Sequence, residues 1–261
     1  MRKSLVTFLL ALFVWLPAQG ADLLVAASAN TSGVVKELAA VFGMRTGHRL
    51  RVSIAASGTI CSQVINGAPF DVFLSADTQY PRRLEQAGFV RPGSLTVYAV
   101  GRLVLWSGSQ SGVDVSRLQM KALVSPKVRK VAIANPRHAP YGQGAIQALR
   151  HFGLEQAIKP KLVLGENVTQ VLQFVESGAA EAGFVPLSLI LRFSESRRGT
   201  MWAIPEESHA PLRQAAVILK GGKARPEIAR QFLDFLKGEE GERLLRKYGY
   251  SLPEDRQGNR P

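Results

Sequence analysis

Short β-prone runs alternate along this chain with longer segments whose apolar residues recur at helical spacing. The first such pair is a strand over 22–27 and a helix over 33–46, on which apolar residues from Val34 to Phe42 share one face. Strands are then predicted over 49–55, 71–75, 130–134, 161–164 and 182–185, and helices over 58–66, 78–87, 141–152 and 168–177. This alternation predicts an α/β architecture, in which we expect mostly parallel sheets.

Two extended apolar segments, 95–107 and 214–220, interrupt the alternation. We interpret them as strands that cross between two lobes, because no helical segment separates them from their neighbours. On this interpretation the first lobe begins with residues 21–100 and the second comprises residues 101–213. Residues 214–261 then return to the first lobe and include helices over 226–237 and 239–248.

The N-terminus has the features of a secretory signal peptide. Arg2 and Lys3 precede an apolar run over 5–16, which is followed by Pro17 and small residues. The run is shorter than the roughly 18 apolar residues that a membrane-spanning helix needs. We therefore expect residues 1–20 to be removed on export.

The chain is strongly basic, with a formal net charge of +13. Loss of the predicted signal peptide removes Arg2 and Lys3 and leaves +11. The basic residues are scattered, and their short clusters at 82–83, 127–130 and 197–198 lack interleaved aromatic residues. Such a surface attracts anions over a long range but does not predict nucleic-acid binding.

The candidate ligand-binding residues lie at the junctions between predicted strands and the helices that follow them. Ligands of open α/β sheets bind beyond the carboxyl ends of strands, and helix N-termini there present unpaired N–H groups to anions. Each junction also has an ordinary explanation as a helix cap or a turn. Together, two in each predicted lobe, they indicate an anion site between the lobes, at 28–31, 56–59, 139–142 and 166–169.

Several blocks of the sequence closely resemble the periplasmic molybdate-binding proteins of ABC uptake systems, the ModA family. The resemblance covers essentially the whole mature chain and is carried by residues 25–30, 55–59, 65–73, 75–77, 136–142 and 177–185. It implies a type II periplasmic-binding-protein fold, with two α/β lobes joined by crossover strands and the ligand in the cleft. It further implies a periplasmic location, molybdate or tungstate as the bound ligand without any cofactor, and an ABC transporter permease as partner. We expect a monomer.

The resemblance also implies which residues contact the oxyanion, and none of them ligates the metal atom directly. Pro186 stands where many relatives have a tyrosine that donates its hydroxyl, and we expect Tyr141, where many relatives have alanine, to compensate. An asparagine at position 30 replaces a serine of many relatives, and its side-chain amide can also donate. The implied contacts are Ala29, Asn30, Ser57, Tyr141 and Val168.

Two alternatives stay open. The site could take another oxyanion such as sulfate, whose rejection depends on cavity size. A hydrolase with Ser57 as nucleophile and His138 or His151 as base is disfavoured, since the sequence has no Gly-x-Ser-x-Gly elbow. We therefore expect no enzymatic activity. Asp77 is interpreted as a helix cap, and the single cysteine, Cys61, as a buried apolar side chain.

Overall fold

The computed structural model describes residues 21–253, so the predicted signal peptide lies outside the described residues. Within that range, ten strands form two five-stranded sheets. The strands are β1 (Asp22–Ser28), β2 (Arg49–Ala55), β3 (Val72–Ser75), β4 (Thr96–Gly101), β5 (Leu103–Ser107), β6 (Val131–Ala134), β7 (Leu162–Gly165), β8 (Ala182–Pro186), β9 (Thr200–Ala203) and β10 (Leu212–Ile218).

Helices cover the sheets, and a short 3₁₀ turn over Ala29–Thr31 follows β1. No helix among residues 21–253 is long and apolar enough to cross a bilayer. The helices are α1 (Val34–Thr46), α2 (Ser57–Ile65), α3 (Gln79–Gln86), α4 (Val115–Leu118), α5 (Pro140–His151), α6 (Glu155–Ile158), α7 (Val168–Glu176), α8 (Leu187–Ile190), α9 (Glu195–Arg198), α10 (Pro226–Lys237) and α11 (Glu239–Lys247).

Both sheets are mixed. The first has the order β2-β1-β3-β10-β4 and the second β7-β6-β8-β5-β9. In each sheet two pairs are parallel, and the pairs made by β10 or β5 are antiparallel. The α/β class is confirmed, but the expectation of mostly parallel sheets is wrong. β10 and β5 enter their sheets from the opposite lobe, without the crossover helix that a parallel pair requires.

The chain passes between the sheets twice. The first passage is at Arg102, between β4 and β5, and the second lies between β9 and β10. Gly101, Leu212 and Arg213 belong to strands of the first sheet. The division into residues 21–100, 101–213 and 214–261 stays our prediction for the lobes.

The end of the described chain returns to the first passage. Val100 and Ser251 exchange backbone hydrogen bonds of 2.7 and 3.0 Å. This pairing fixes the neighbouring residue Tyr250, which is buried. The C-terminal segment is thereby tied to the strand through which the chain leaves the first sheet.

Candidate anion-binding site

In the first lobe, three strand ends meet at one serine hydroxyl. β1 and β2 pair in parallel up to Ser28 and Ala55, so the two following junctions lie side by side. The Ser57 hydroxyl donates to the Ser28 Oγ at 3.0 Å and accepts the Ala76 N–H at 3.0 Å. Both serine side chains are buried. Ser57 therefore connects the ends of β1, β2 and β3.

In the second lobe, two helices of more than two turns begin beside each other. The strands before them, β6 and β7, pair in parallel up to Ala134 and Gly165. Asn167 caps α7 by accepting the N–H groups of Thr169 and Gln170 at 2.9 and 3.3 Å. The N–H groups at a helix start lack partners within the helix and carry part of the helix dipole. Both helix starts thus offer donors suited to an anion.

The first backbone N–H of each of these helices belongs to a residue predicted from the sequence. Pro140 has no N–H, so the first in α5 is that of Tyr141. In α7, the capping side chain of Asn167 engages the second and third amides and leaves that of Val168. Tyr141 and Val168 can therefore donate through the backbone.

The two lobes meet over these junctions. The Gly58 N–H donates to the His138 carbonyl oxygen at 2.9 Å, and the Tyr80 hydroxyl donates to the Arg137 carbonyl at 3.3 Å. The alanines at positions 29, 56 and 76 pack in the same buried cluster as Tyr141 and Val168. The cleft is therefore closed. It brings the five predicted contacts together with at most 4% of each residue exposed, namely Ala29, Asn30, Ser57, Tyr141 and Val168.

The Asn30 side chain is engaged within the protein. Its Nδ2 donates to the Gln214 Oε1 at 2.7 Å and to the Tyr250 hydroxyl at 2.9 Å. The Tyr250 hydroxyl and the Ser188 Oγ both donate to the Asn30 carbonyl oxygen, at 3.0 and 2.8 Å. Both side-chain hydrogens of Asn30 are thus taken, contrary to the side-chain donation expected from the sequence. The backbone N–H is what Asn30 can offer to a ligand.

Three buried tyrosines surround this network. Burial raises the pKa of Tyr98 and of Tyr141 well above the ordinary range, and it raises the pKa of Tyr250 to about 12. All three are therefore protonated and neutral at physiological pH. The Tyr141 hydroxyl packs directly against Gly101, beside the first passage between the sheets, and leaves no room there for a Cβ.

Pro186 ends β8 opposite Leu103 and is buried. The next residue, Leu187, donates its N–H to the Arg102 carbonyl oxygen. The polar contact from this segment to the predicted site comes from Ser188, through its bond to the Asn30 carbonyl oxygen. That Tyr141 compensates for the tyrosine that many relatives have at the position of Pro186 stays a prediction.

Three polar residues around the site were not identified from the sequence: Ser188, Gln214 and Tyr250. All are buried. Gln214 had a usable signal, since it is a lone polar residue at the start of the apolar run 214–219. Buried polar residues need partners, so this position could have been marked as one with a specific role.

The geometry does not support a serine nucleophile at position 57. The His138 Nε2 lies 2.9 Å from the Glu166 carbonyl oxygen. His151 is the last residue of α5 and packs against Phe152. Neither imidazole makes a hydrogen bond to the Ser57 hydroxyl, whose partners in the described chain are Ser28 and Ala76.

Asp77 and Cys61 have structural roles. The Asp77 Oδ1 accepts the Tyr80 N–H at 3.2 Å at the start of α3, one position before the capping residue Thr78. Burial raises the pKa of this carboxyl above its ordinary range. Cys61 is buried in the first lobe, and burial likewise raises the pKa of its thiol. The interpretation of Cys61 as a buried side chain is confirmed. Asp77 accepts an N–H of the first turn of α3 as a capping residue would, but the N-cap position itself belongs to Thr78.

Asp77→Asn is expected to raise the free energy of unfolding at pH 7. A carboxyl whose folded-state pKa is raised destabilises the folded protein once pH exceeds its unfolded-state pKa, and the amide keeps an acceptor for the Tyr80 N–H. The gain should disappear below about pH 4, where both states are protonated. Urea titrations at pH 7 and at pH 3.5 measure it, and an equal gain at both values would contradict the burial argument.

Comparison with known proteins places this geometry in a family. The model of the family described as "Bacterial extracellular solute-binding protein" matches residues 23–251. The chain therefore belongs to the bacterial extracellular solute-binding proteins.

Within that class, the relatives include molybdate-binding proteins. The chain is 42% identical over 235 residues to the molybdate-binding protein ModA of Azotobacter vinelandii, covering 90% of this chain and 92% of that protein. It is 37% identical over 250 residues to ModA of Rhodobacter capsulatus, with 96% of both chains covered. The solved structure of the Azotobacter vinelandii periplasmic molybdate-binding protein superposes with a TM-score of 0.83 at 37% identity, over 88% of this chain and 99% of that one. The resemblance to the ModA family and the predicted two-lobed binding-protein fold are confirmed.

Proposed function

We propose that this chain is the periplasmic binding protein of a molybdate uptake system and binds one molybdate or tungstate dianion between its lobes. The observation that carries the proposal is the closure of four N–H-presenting junctions, two from each lobe, over one buried region. The relatives named as molybdate-binding support the same ligand. The proposed contacts are Ala29, Asn30, Ser57, Tyr141 and Val168.

The donor set suits a fully ionised dianion. Hydrogen bonds from N–H and O–H groups to an ion are about twice as strong as neutral ones, so the site needs no lysine or arginine. The buried polar side chains at the first-lobe junctions are neutral, namely Ser28, Asn30, Thr31 and Ser57. A protonated oxyanion such as hydrogen phosphate would bring a proton that finds no acceptor among N–H donors, at a cost of about 1–3 kcal/mol. Discrimination against sulfate then rests on cavity size.

Membership in the solute-binding proteins indicates a role in transport. A binding protein that closes over its ligand delivers it to a membrane transporter, for which we propose an ABC permease. We place the protein in the periplasm, since the Azotobacter vinelandii relative is described as periplasmic and the N-terminus predicts export. We propose a monomer without cofactor, enzymatic activity or nucleic-acid partner. A sulfate carrier is the alternative, because sulfate is also a tetrahedral dianion and its rejection rests on cavity size.

A panel of anions on residues 21–261 tests the proposal. Molybdate and tungstate should each raise the melting temperature and give one-to-one calorimetric binding. At a hundredfold excess over the dissociation constant, the expected stabilisation is about 2.7 kcal/mol. Sulfate, phosphate and chromate are the comparison anions. If sulfate or phosphate stabilises the protein and neither molybdate nor tungstate does, the proposal is wrong.

A further inference from the structure

Gln214 is a fully buried carboxamide on β10, the strand that returns to the first sheet. Its Nε2 donates to the carbonyl oxygens of Leu212 at 2.7 Å and Ala76 at 3.2 Å. A carbonyl oxygen can only accept, so the nitrogen end of this carboxamide must face these two groups. The orientation of Gln214 is thus decided by chemistry, although the two ends of an amide are alike in shape.

The orientation of the Gln214 carboxamide determines that of the Asn30 carboxamide. The Gln214 Oε1 faces Asn30 at 2.7 Å and needs a donor, so Asn30 must present its Nδ2. The second hydrogen on this Nδ2 goes to the Tyr250 hydroxyl, and the hydroxyl's own hydrogen goes to the Asn30 carbonyl oxygen. The series of donors therefore runs in one direction, and reversing either amide would set acceptor against acceptor.

Gln214 also connects two of the proposed ion contacts. It holds Asn30 through its oxygen and the Ala76 carbonyl through its nitrogen. The N–H of the same Ala76 donates to the Ser57 hydroxyl. Asn30 and Ser57 are therefore positioned from one side chain, which sits on a strand that leads directly from the other lobe.

We propose that Gln214 is a positioning residue for anion binding. It fixes the 29–31 turn through the Asn30 carboxamide, so that the backbone N–H groups of the turn face the ion. Through Ala76 it also holds this turn at a constant position relative to Ser57. The inference rests on the proposed function, because it assigns a role at the same site. Gln214 itself does not contact the ion.

The test is a double-mutant cycle measured by calorimetry with molybdate. Gln214→Met removes the carboxamide at similar length and should weaken binding about tenfold or more. In an Asn30→Ala background the same substitution should cost less than about threefold, because residues that act through one another are not additive. Gln147→Met is the matched control: its Oε1 accepts the Ala210 N–H at 2.8 Å and makes no hydrogen bond to any of the proposed contacts in the described chain. It should lower the melting temperature at most and leave affinity unchanged.

A merely structural role gives a different result. If Gln214→Met lowers the melting temperature but binds molybdate within about twofold of the parent, or if the cycle is additive within error, the proposal is overturned. Gln214→Asn is the second variant in case the first does not fold. It keeps a carboxamide but is too short to span both sets of partners, so it should also lose affinity, and parental affinity would contradict the proposal.

The parent protein separates this proposal from the proposed function. A parent that does not bind molybdate contradicts the function. The cycle is then run with the anion that stabilises the protein most in the panel, and absence of coupling there contradicts the role of Gln214 alone.

Discussion

Gly58→Ala is expected to weaken molybdate binding by about ten- to a hundredfold while leaving the ligand-free protein at least as stable as the parent. In the closed cleft, a Cβ at this position would lie 2.6 Å from the His138 Cβ and 2.8 Å from the His138 Cα. Gly58 belongs to the first turn of α2, and His138 belongs to the other lobe. Such crowding costs about 1–3 kcal/mol. The Tyr80 hydroxyl would also lie 2.7 Å from this Cβ, but it is the end of a side chain that can move once its bond to the Arg137 carbonyl oxygen across the cleft is released. The clash with His138 therefore falls mainly on the closed form.

When the lobes are apart, Gly58 no longer meets His138, and the same substitution should stabilise the ligand-free protein. Alanine is favoured over glycine within a helix by about 1 kcal/mol. Melting of the ligand-free protein and calorimetry with molybdate should therefore move in opposite directions, which a simple loss of folding cannot produce. If Gly58→Ala binds molybdate as tightly as the parent, closure through this contact is not part of binding.

Gly144→Ala provides the matched control. Gly144 also lies within a helix, α5, but a Cβ there would have its nearest neighbour, the Leu103 Cδ2, at 3.6 Å. That distance is an ordinary van der Waals contact. The control should raise the melting temperature slightly and bind molybdate like the parent.

Ser57→Ala should lower both anion affinity and stability. The Ser57 hydroxyl can turn its hydrogen from the Ser28 Oγ to the ion, because the Ser28 hydroxyl can become the donor in that pair. Loss of such a donor to a buried dianion costs about 1.5–3 kcal/mol, or about ten- to more than a hundredfold in affinity. The Ala76 N–H also loses its acceptor, so the free energy of unfolding of the ligand-free protein should fall as well. Calorimetry and urea unfolding measure the two effects separately.

Ser62→Ala on the same helix is the control for this substitution. The Ser62 hydroxyl donates to the Gly58 carbonyl oxygen one turn earlier and is partly exposed. Its removal should change affinity less than twofold, roughly the limit set by a surface substitution. A Ser57→Ala variant with parental affinity would place the anion elsewhere.

Much of the element order was predictable because it is encoded locally. The strand β2 and the helix α10 have the predicted bounds, since each carries its own periodicity and end signals. The edge strand β9 and the helices α4, α6, α8 and α9 were missed. Each has four residues, too few for a period of 3.6 or 2 to be recognised.

The sequence by itself determined the four junctions of the proposed site, because a helix start exposes its N–H groups whatever the rest of the fold does. Only the tertiary structure decided which hydrogen-bond donors of each junction residue stay free for a ligand. Asn30 meets Gln214 and Tyr250 across separations of 184 and 220 residues and Ser188 across 158. Contacts of that range depend on how the strands order themselves and how the lobes close, and no local pattern records them. The side-chain amide of Asn30 therefore read as a free donor in the sequence and is a fully engaged one in the fold.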